Sequence, residues 1–173
     1  EDAGAAAITM HSVFEEQINR EQVASFVHTE SHGQSFAEAL TYFPSPEAFH
    51  LGPNEYLEHL RKVKQAVSVP VIGSLNGYTT GGWLEYAKLI QDAGADALEL
   101  NVFSLGTNPQ ESGAQMELRT VQMVQAVRKA VRIPVAVKLS PYYTSLAHFA
   151  TKLDEAGADG LVLLNRFYQP DID

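Results

Sequence analysis

One phrase occurs three times in this chain: EDAGAA at residues 1–6, QDAGAD at 91–96 and DEAGAD at 154–159, each followed by an apolar run. A glycine after a helical stretch supplies the left-handed residue that closes a helix, and Gly4, Gly94 and Gly157 stand at that place. The runs AITM, ALEL and LVLL that follow are nearly all apolar, as strands covered on both faces are. The phrase therefore reads as helix end, turn and buried parallel strand.

A second phrase alternates with the first: AVSVPVIGSLNG from Ala66 and AVRIPVAVKLSP from Ala130, each a helix tail, a proline and a short strand. Gly94 and Gly157 are 63 residues apart and Pro70 and Pro134 are 64 apart, so each repeat holds two βα units. Eight units of that size make roughly 250 residues, the usual length of a (β/α)8 barrel. The sequence predicts an α/β chain with five strands of such a TIM barrel. Residues 1–173 are expected to be a fragment of one barrel domain, without its N-terminal strand and its C-terminal strands.

The strands are expected at 5–10, 69–75, 97–101, 134–139 and 160–165. Helices are expected at 13–26 with Ser12 as cap, 55–67 behind Asn54, 83–93 after Thr80 or Gly81, 115–131 opened by Ala114, and 145–156 opened by Thr144. Their apolar residues recur at three- and four-residue spacing, as in Leu118, Val121, Val124 and Val127. Trp83, Tyr86 and Leu89 form one packing face, and Glu15, Glu16 and Glu21 a solvated one. Residues 27–53 are irregular, rich in Ser, Gly, Pro and His, and read as an excursion that shapes a pocket.

Side chains alternate along a strand, so Ala97, Glu99 and Asn101 share one face, and the polar set is expected to face the barrel interior. The same count turns Ile72, Ser74 and Asn76 inward, then Ala136, Lys138 and Ser140, then Leu161, Leu163 and Asn165. Asn76, Asn101, Lys138 and Asn165 thus converge on the carboxyl-end rim, where barrels carry their active sites. A lysine within VPVAVKLSP needs a partner: either Glu99 on the adjacent strand or a bound anion.

Net charge is −9 without long runs of one sign, which argues against a nucleic-acid surface. The absence of cysteine excludes disulfides and thiolate metal sites. No stretch of about 18 apolar residues and no signal peptide is present, so a cytoplasmic protein without a membrane span is expected. His28 and His32 are four apart in a polar loop and read as solvated rather than as metal ligands. GSLNGYTTGG fits neither nucleotide-binding glycine pattern and reads as a strand-to-helix turn beneath a ligand. Tyr142 and Tyr143 either floor the pocket or pack on the next helix.

ELNVFS from Glu99, VKLSPYYTSLAHFATKLDEAGADGL from Val137 and LLNRF from Leu163 resemble the soluble dihydroorotate dehydrogenases, FMN-dependent (β/α)8 barrels of pyrimidine biosynthesis. The resemblance implies that Lys138 stands by flavin N1 and the C2 oxygen as a catalytic cation, that Asn101 and Asn165 hold flavin and substrate, and that Ser12 contacts flavin. It makes Ser104 the base that takes the substrate C5 proton while hydride leaves for flavin N5; Asn76, placed at the rim by alternation alone, is expected as a further substrate-pocket residue. It also implies a small-molecule substrate and a possible homodimer, with the FMN phosphate held by strands beyond this chain.

The sequence departs from the family pattern at four points, one of them in ALTYFPSPEAF, which has no clear counterpart of the asparagine of the family's long substrate loop. Serine replaces the cysteine usual at position 104, His11 stands where a lysine is frequent, and Leu105 and Gly106 replace a Pro-Asn pair, with Asn108 and Pro109 following. The substrate is therefore read as dihydroorotate or a related CH–CH compound. Two other readings of the same residues are a Schiff-base aldolase using Lys138 and a non-catalytic barrel that binds a ligand through residues 27–53.

Overall fold

The computed structural model describes residues 3–14, 53–77, 80–103 and 106–165. Five parallel strands lie in chain order: β1 (Ile8–Phe14), β2 (Val71–Asn76), β3 (Ala97–Asn101), β4 (Val135–Leu139) and β5 (Gly160–Leu163). Helices α1 (Pro53–Ala66), α2 (Thr80–Asp92), α3 (Gly113–Ala130) and α4 (Leu146–Glu155) occupy the connections after β1, β2, β3 and β4. Consecutive parallel pairing with a helix in each crossover is the arrangement of a barrel wall, and the chain forms a partial one.

The core lies between sheet and helices. On β2, β3 and β4 the helix-facing residues Val71, Leu75, Leu98, Leu100, Val135, Val137 and Leu139 are fully buried. They meet Tyr56, Leu57 and Leu60 of α1, Trp83, Tyr86, Ala87 and Ile90 of α2, Met123, Val124 and Val127 of α3, and Phe149 and Leu153 of α4 in one apolar cluster. Of the expected spacing series on α3, Val124 and Val127 are buried, whereas Leu118 is exposed. Gly73 of β2 and Gly77 just after it make room for α2: a Cβ on Gly73 would lie 2.3 Å from Ile90 Cγ2, and one on Gly77 2.5 Å from the Trp83 ring.

The recurring phrase has a second role in the fold. All three of its glycines have positive φ, at 87°, 97° and 97°. In the two later copies the closing aspartate latches the preceding strand: Asp96 accepts a hydrogen bond from Val71 N at 2.7 Å, and Asp159 accepts one from Val135 N at 2.9 Å. Each is also paired with a cation from the helix that precedes the latched strand, Lys64 of α1 at 2.6 Å and Arg128 of α3 at 3.4 Å. The Lys64 hydrogen bond, with that from Val71, holds the Asp96 carboxyl below the usual carboxylate range.

Three expectations are corrected. Ser12 does not cap a helix, because β1 runs through it to Phe14, and the remainder of the helix expected at 13–26 falls outside the described residues. The cap of α3 is Ser112 rather than Ala114: its hydroxyl accepts from Gln115 N while the Gln115 side chain accepts from Ser112 N, a reciprocal capping box. On β5 the register pairs Lys138 with Val162 and Leu139 with Leu163, so Val162 shares the inward face while Leu161 and Leu163 lie on the helix side. The excursion at 27–53, apart from Pro53 at the start of α1, and Glu15, Glu16, Glu21, His28 and His32 lie outside the described residues.

Candidate active site

On the inward face the polar side chains form one connected chain. Asn165 Nδ2 donates to Asn101 Oδ1 at 2.7 Å, and Asn101 Nδ2 donates to Ser12 Oγ at 3.2 Å. Ser12 Oγ lies 2.7 Å from Ser74 Oγ, and Ser74 Oγ donates to Glu99 Oε1 at 2.9 Å. Lys138 Nζ approaches the same Glu99 oxygen at 3.5 Å. The chain thus joins residues from β1, β2, β3 and β4 with Asn165 beyond the end of β5. It includes four of the five described site residues that the sequence predicts.

Register explains why these residues meet. Ser12 lies beside Ser74, Ser74 beside Glu99 and Asn101 beside Lys138, and neighbours in a parallel ladder point to the same face. Asn165 follows the end of β5, where its backbone N–H bonds to Leu139 O at 2.8 Å and its side chain turns in to Asn101. Asn76 shares the face of Ser74 at the end of β2 and is half-buried, but it is not a member of the chain. Ser74 and Glu99 are members that a search of strand ends alone overlooks. Alternation turns both inward, yet they sit one layer below the rim.

Glu99, Ser74 and Asn101 are buried, and the Lys138 side chain keeps 27% exposure. An ammonium with one carboxylate neighbour, two carboxamides and hydroxyls on one face is a donor set suited to a planar ligand edge that carries carbonyl oxygens and ring nitrogens. The pyrimidine edge of a flavin is such an edge, and the residues present fit it.

The β1–β2 ladder carries the sharpest local irregularity. Thr9 pairs with Ile72 and Ser12 with Ser74, so β1 holds one residue more than β2 across the same interval. Regular pairing would set His11 opposite Ser74. The extra residue instead brings Ser12 inward, and His11 packs edge-on against Tyr56 of α1, with ring centroids 5.3 Å apart and His59 beyond at 6.4 Å. The Tyr56 hydroxyl donates to Ser74 O at 3.2 Å and accepts from Ser74 N at 2.9 Å, which satisfies backbone groups beside the bulge. His11 is therefore displaced from the interior chain.

Burial of Tyr56 pushes its phenol up to about 12 from an ordinary 10. The neutral phenol is thus favoured by folding, and the associated stability is fully present below pH 10 and lost as pH rises from there through 12. Tyr56→Phe is expected to destabilise the protein by about 1–3 kcal/mol, since both Ser74 backbone groups lose their partner in a buried place. Denaturant unfolding measures the loss, and an alkaline difference spectrum of the variant is expected to lack one late-titrating tyrosine.

A separate cavity of about 880 Å³ opens among the loops after β2, β3 and β4, lined by Trp83, Phe103, Met116, Met123, Tyr142 and Tyr143 among others. Among the described residues expected to face inward, only Ser140, just past the end of β4, lines it, so it adjoins the interior chain without containing it. Tyr143 stacks on Phe149 at 4.4 Å and is a packing residue, while Tyr142 is half exposed and faces this cavity. Asn108, in the same loop, accepts from Gln110 N at 3.0 Å and serves a turn. Ser104 and Leu105 lie outside the described residues. Among the described residues there is no cluster of three or more metal-ligating side chains, and no helix long and apolar enough to cross a membrane.

All-parallel strands, helices over one face and a polar set converging at the carboxyl ends on the other define a segment of a (β/α)8 barrel. Solved structures share that fold. A phosphonopyruvate hydrolase matches 95% of this chain and 60% of its own with TM-score 0.53 and 14% identity. Dihydrodipicolinate synthase from Acinetobacter baumannii, complexed with pyruvate, matches 64% and 38% with TM-score 0.52 and 21% identity.

Sequence comparison narrows the assignment. A family model described as dihydroorotate dehydrogenase matches residues 50–169, and the chain belongs to that family. It is 36% identical over 127 residues to an Aeropyrum pernix protein named as a candidate dihydroorotate dehydrogenase A (fumarate), covering 70% of this chain and 40% of the relative. It is 34% identical over 126 residues to the catalytic subunit of dihydroorotate dehydrogenase B (NAD(+)) of Methanocaldococcus jannaschii, covering 66% and 38%. The chain spans about two fifths of the length of the curated relatives it matches.

Proposed function

We propose that the protein carrying this chain is an FMN-dependent oxidoreductase that oxidises dihydroorotate or a related CH–CH substrate. The observation that carries this reading is the unbroken hydrogen-bonded chain that holds Lys138, Asn101, Asn165 and Ser12 on one interior rim. Family membership supports it. FMN, when bound, would accept a hydride from the substrate.

The residues divide the remaining work. Lys138 sets a fixed positive charge where negative charge would arrive, and that charge needs no reorganisation during the reaction. Asn101 and Asn165 orient flavin and substrate through their amides, Ser12 adds a hydroxyl, and Asn76 contacts the substrate from β2. Ser104 Oγ takes the C5 proton; as a hydroxyl is a poor base at neutral pH, a polar relay carries the proton onward. In the same reading the protein is cytoplasmic, forms a homodimer, serves pyrimidine biosynthesis and holds the FMN phosphate on strands beyond this chain.

The visible spectrum of the intact protein, followed by anaerobic addition of dihydroorotate, tests the reading. A flavin band near about 450 nm that bleaches is the expected result. A yellow protein that stays oxidised would reject dihydroorotate and retain the flavin. A colourless protein would overturn the proposal, and trapping of Lys138 by borohydride with a carbonyl compound would then favour Schiff-base chemistry.

A further inference from the structure

Glu99 lies beneath the rim, below the residues that would touch a ligand, yet two branches of the interior meet on one of its oxygens: Ser74 Oγ at 2.9 Å and Lys138 Nζ at 3.5 Å. Elimination fixes the direction of every hydrogen bond in the chain. A carboxylate only accepts, so Ser74 must give its single hydroxyl hydrogen to Glu99. Ser74 Oγ can then only accept from Ser12, and Ser12, its hydrogen spent, can only accept from Asn101. Asn101 therefore presents Nδ2 to Ser12 and Oδ1 to Asn165, and Asn165 presents Nδ2 to Asn101. All hydrogens point toward one buried carboxylate.

We infer that Glu99 is a positioning residue that sets the polarity of the whole rim and holds Lys138 over it. The inference rests on the flavin reading only for its consequence, since the direction of the chain follows from the side chains themselves. With that direction fixed, Asn101 retains one N–H for a ligand, Asn165 one N–H and its carbonyl oxygen, and Lys138 its remaining N–H groups. A rim so defined offers mainly donors. With Gln at position 99 the side chain can accept or donate, so neither amide orientation is enforced and Lys138 loses its charged anchor.

Two measurements on Glu99→Gln in the intact protein separate this role from a local one. In flavin-free protein, the side-chain amide resonances of Asn101 and Asn165 are expected to move or broaden, although Asn165 is four hydrogen bonds from Glu99. Ser12→Ala, which cuts the chain midway, is expected to disturb the same two signals. Signals of Asn165 that stay in place in Glu99→Gln would overturn the inference whether or not the protein binds flavin.

The second measurement is titration of the flavin-loaded protein with sulfite, which adds to flavin and leaves negative charge on its pyrimidine ring. If Glu99 holds Lys138 in place, Glu99→Gln weakens sulfite binding by roughly tenfold, as loss of one charge-assisted hydrogen bond does. If Glu99 were only a counter-charge, its removal would strengthen sulfite binding, and that outcome would overturn the positioning role. A wild-type protein without flavin would instead defeat the proposed function and leave the amide resonances to decide the inference.

Discussion

Lys138→Met in the intact protein is expected to slow the proposed reduction of flavin by substrate about 10²- to 10³-fold, the usual effect of deleting one preorganised charge-stabilising donor. Methionine keeps the apolar stem of the side chain and removes the ammonium, so the packing of β4 is retained. Glu99 loses the cation 3.5 Å away but keeps the Ser74 hydroxyl at 2.9 Å. Because the Lys138 side chain is partly exposed, the stability cost is on the order of 1–3 kcal/mol and not that of a fully buried broken pair. Anaerobic stopped-flow absorbance gives the reduction rate directly. A decrease of less than about threefold would remove Lys138 from the proposed catalytic residues.

Phe149→Ala carries the largest expected loss of stability, about 3–5 kcal/mol, the range for removal of a buried phenylalanine from a packed core. Phe149 is 1% exposed, lies on α4 in the main apolar cluster, and stacks on Tyr143 at 4.4 Å with 30° between the rings. Tyr143 belongs to the loop that leaves β4 just after Lys138 and Ser140, so the stack also steadies the site. Burial now raises the Tyr143 phenol above its ordinary value. In the variant that phenol is expected to titrate nearer the usual tyrosine range, and denaturant unfolding is expected to show a lower midpoint. An unchanged midpoint would mean that α4 is not anchored through this ring.

The parts of the fold that could be read from sequence are those where one local rule had no competitor. β3 begins and ends where alternation and the preceding glycine turn place it, at Ala97 and Asn101, and the three repeat glycines have the positive φ that their position requires. Ser12, followed at three residues by Glu15, has the local form of a helix cap, while Ser74, the partner that makes it a strand residue, is 62 residues away. On β5 regular alternation does not extend to Asn165, because the strand stops at Leu163, so Asn165 reaches the interior while Leu161 and Leu163 do not. In the sequence Glu99 is legible as an inward-facing partner for Lys138. Its hold on Ser74 depends on a register that no local pattern records.

The extra residue in β1 acts as a slip joint. Before it, Ile8 and Thr9 follow the pairing set by the start of β2; after it, Ser12 and Val13 follow the pairing required at the rim. The two ends of the strand can therefore vary in sequence under separate constraints. Removing Met10 or His11 would erase the offset and still leave Ser12 opposite Ser74, whereas inserting a residue after Ser12 would throw every later position out of step. Tolerance to length change in this strand is thus directional, and the joint marks where it ends.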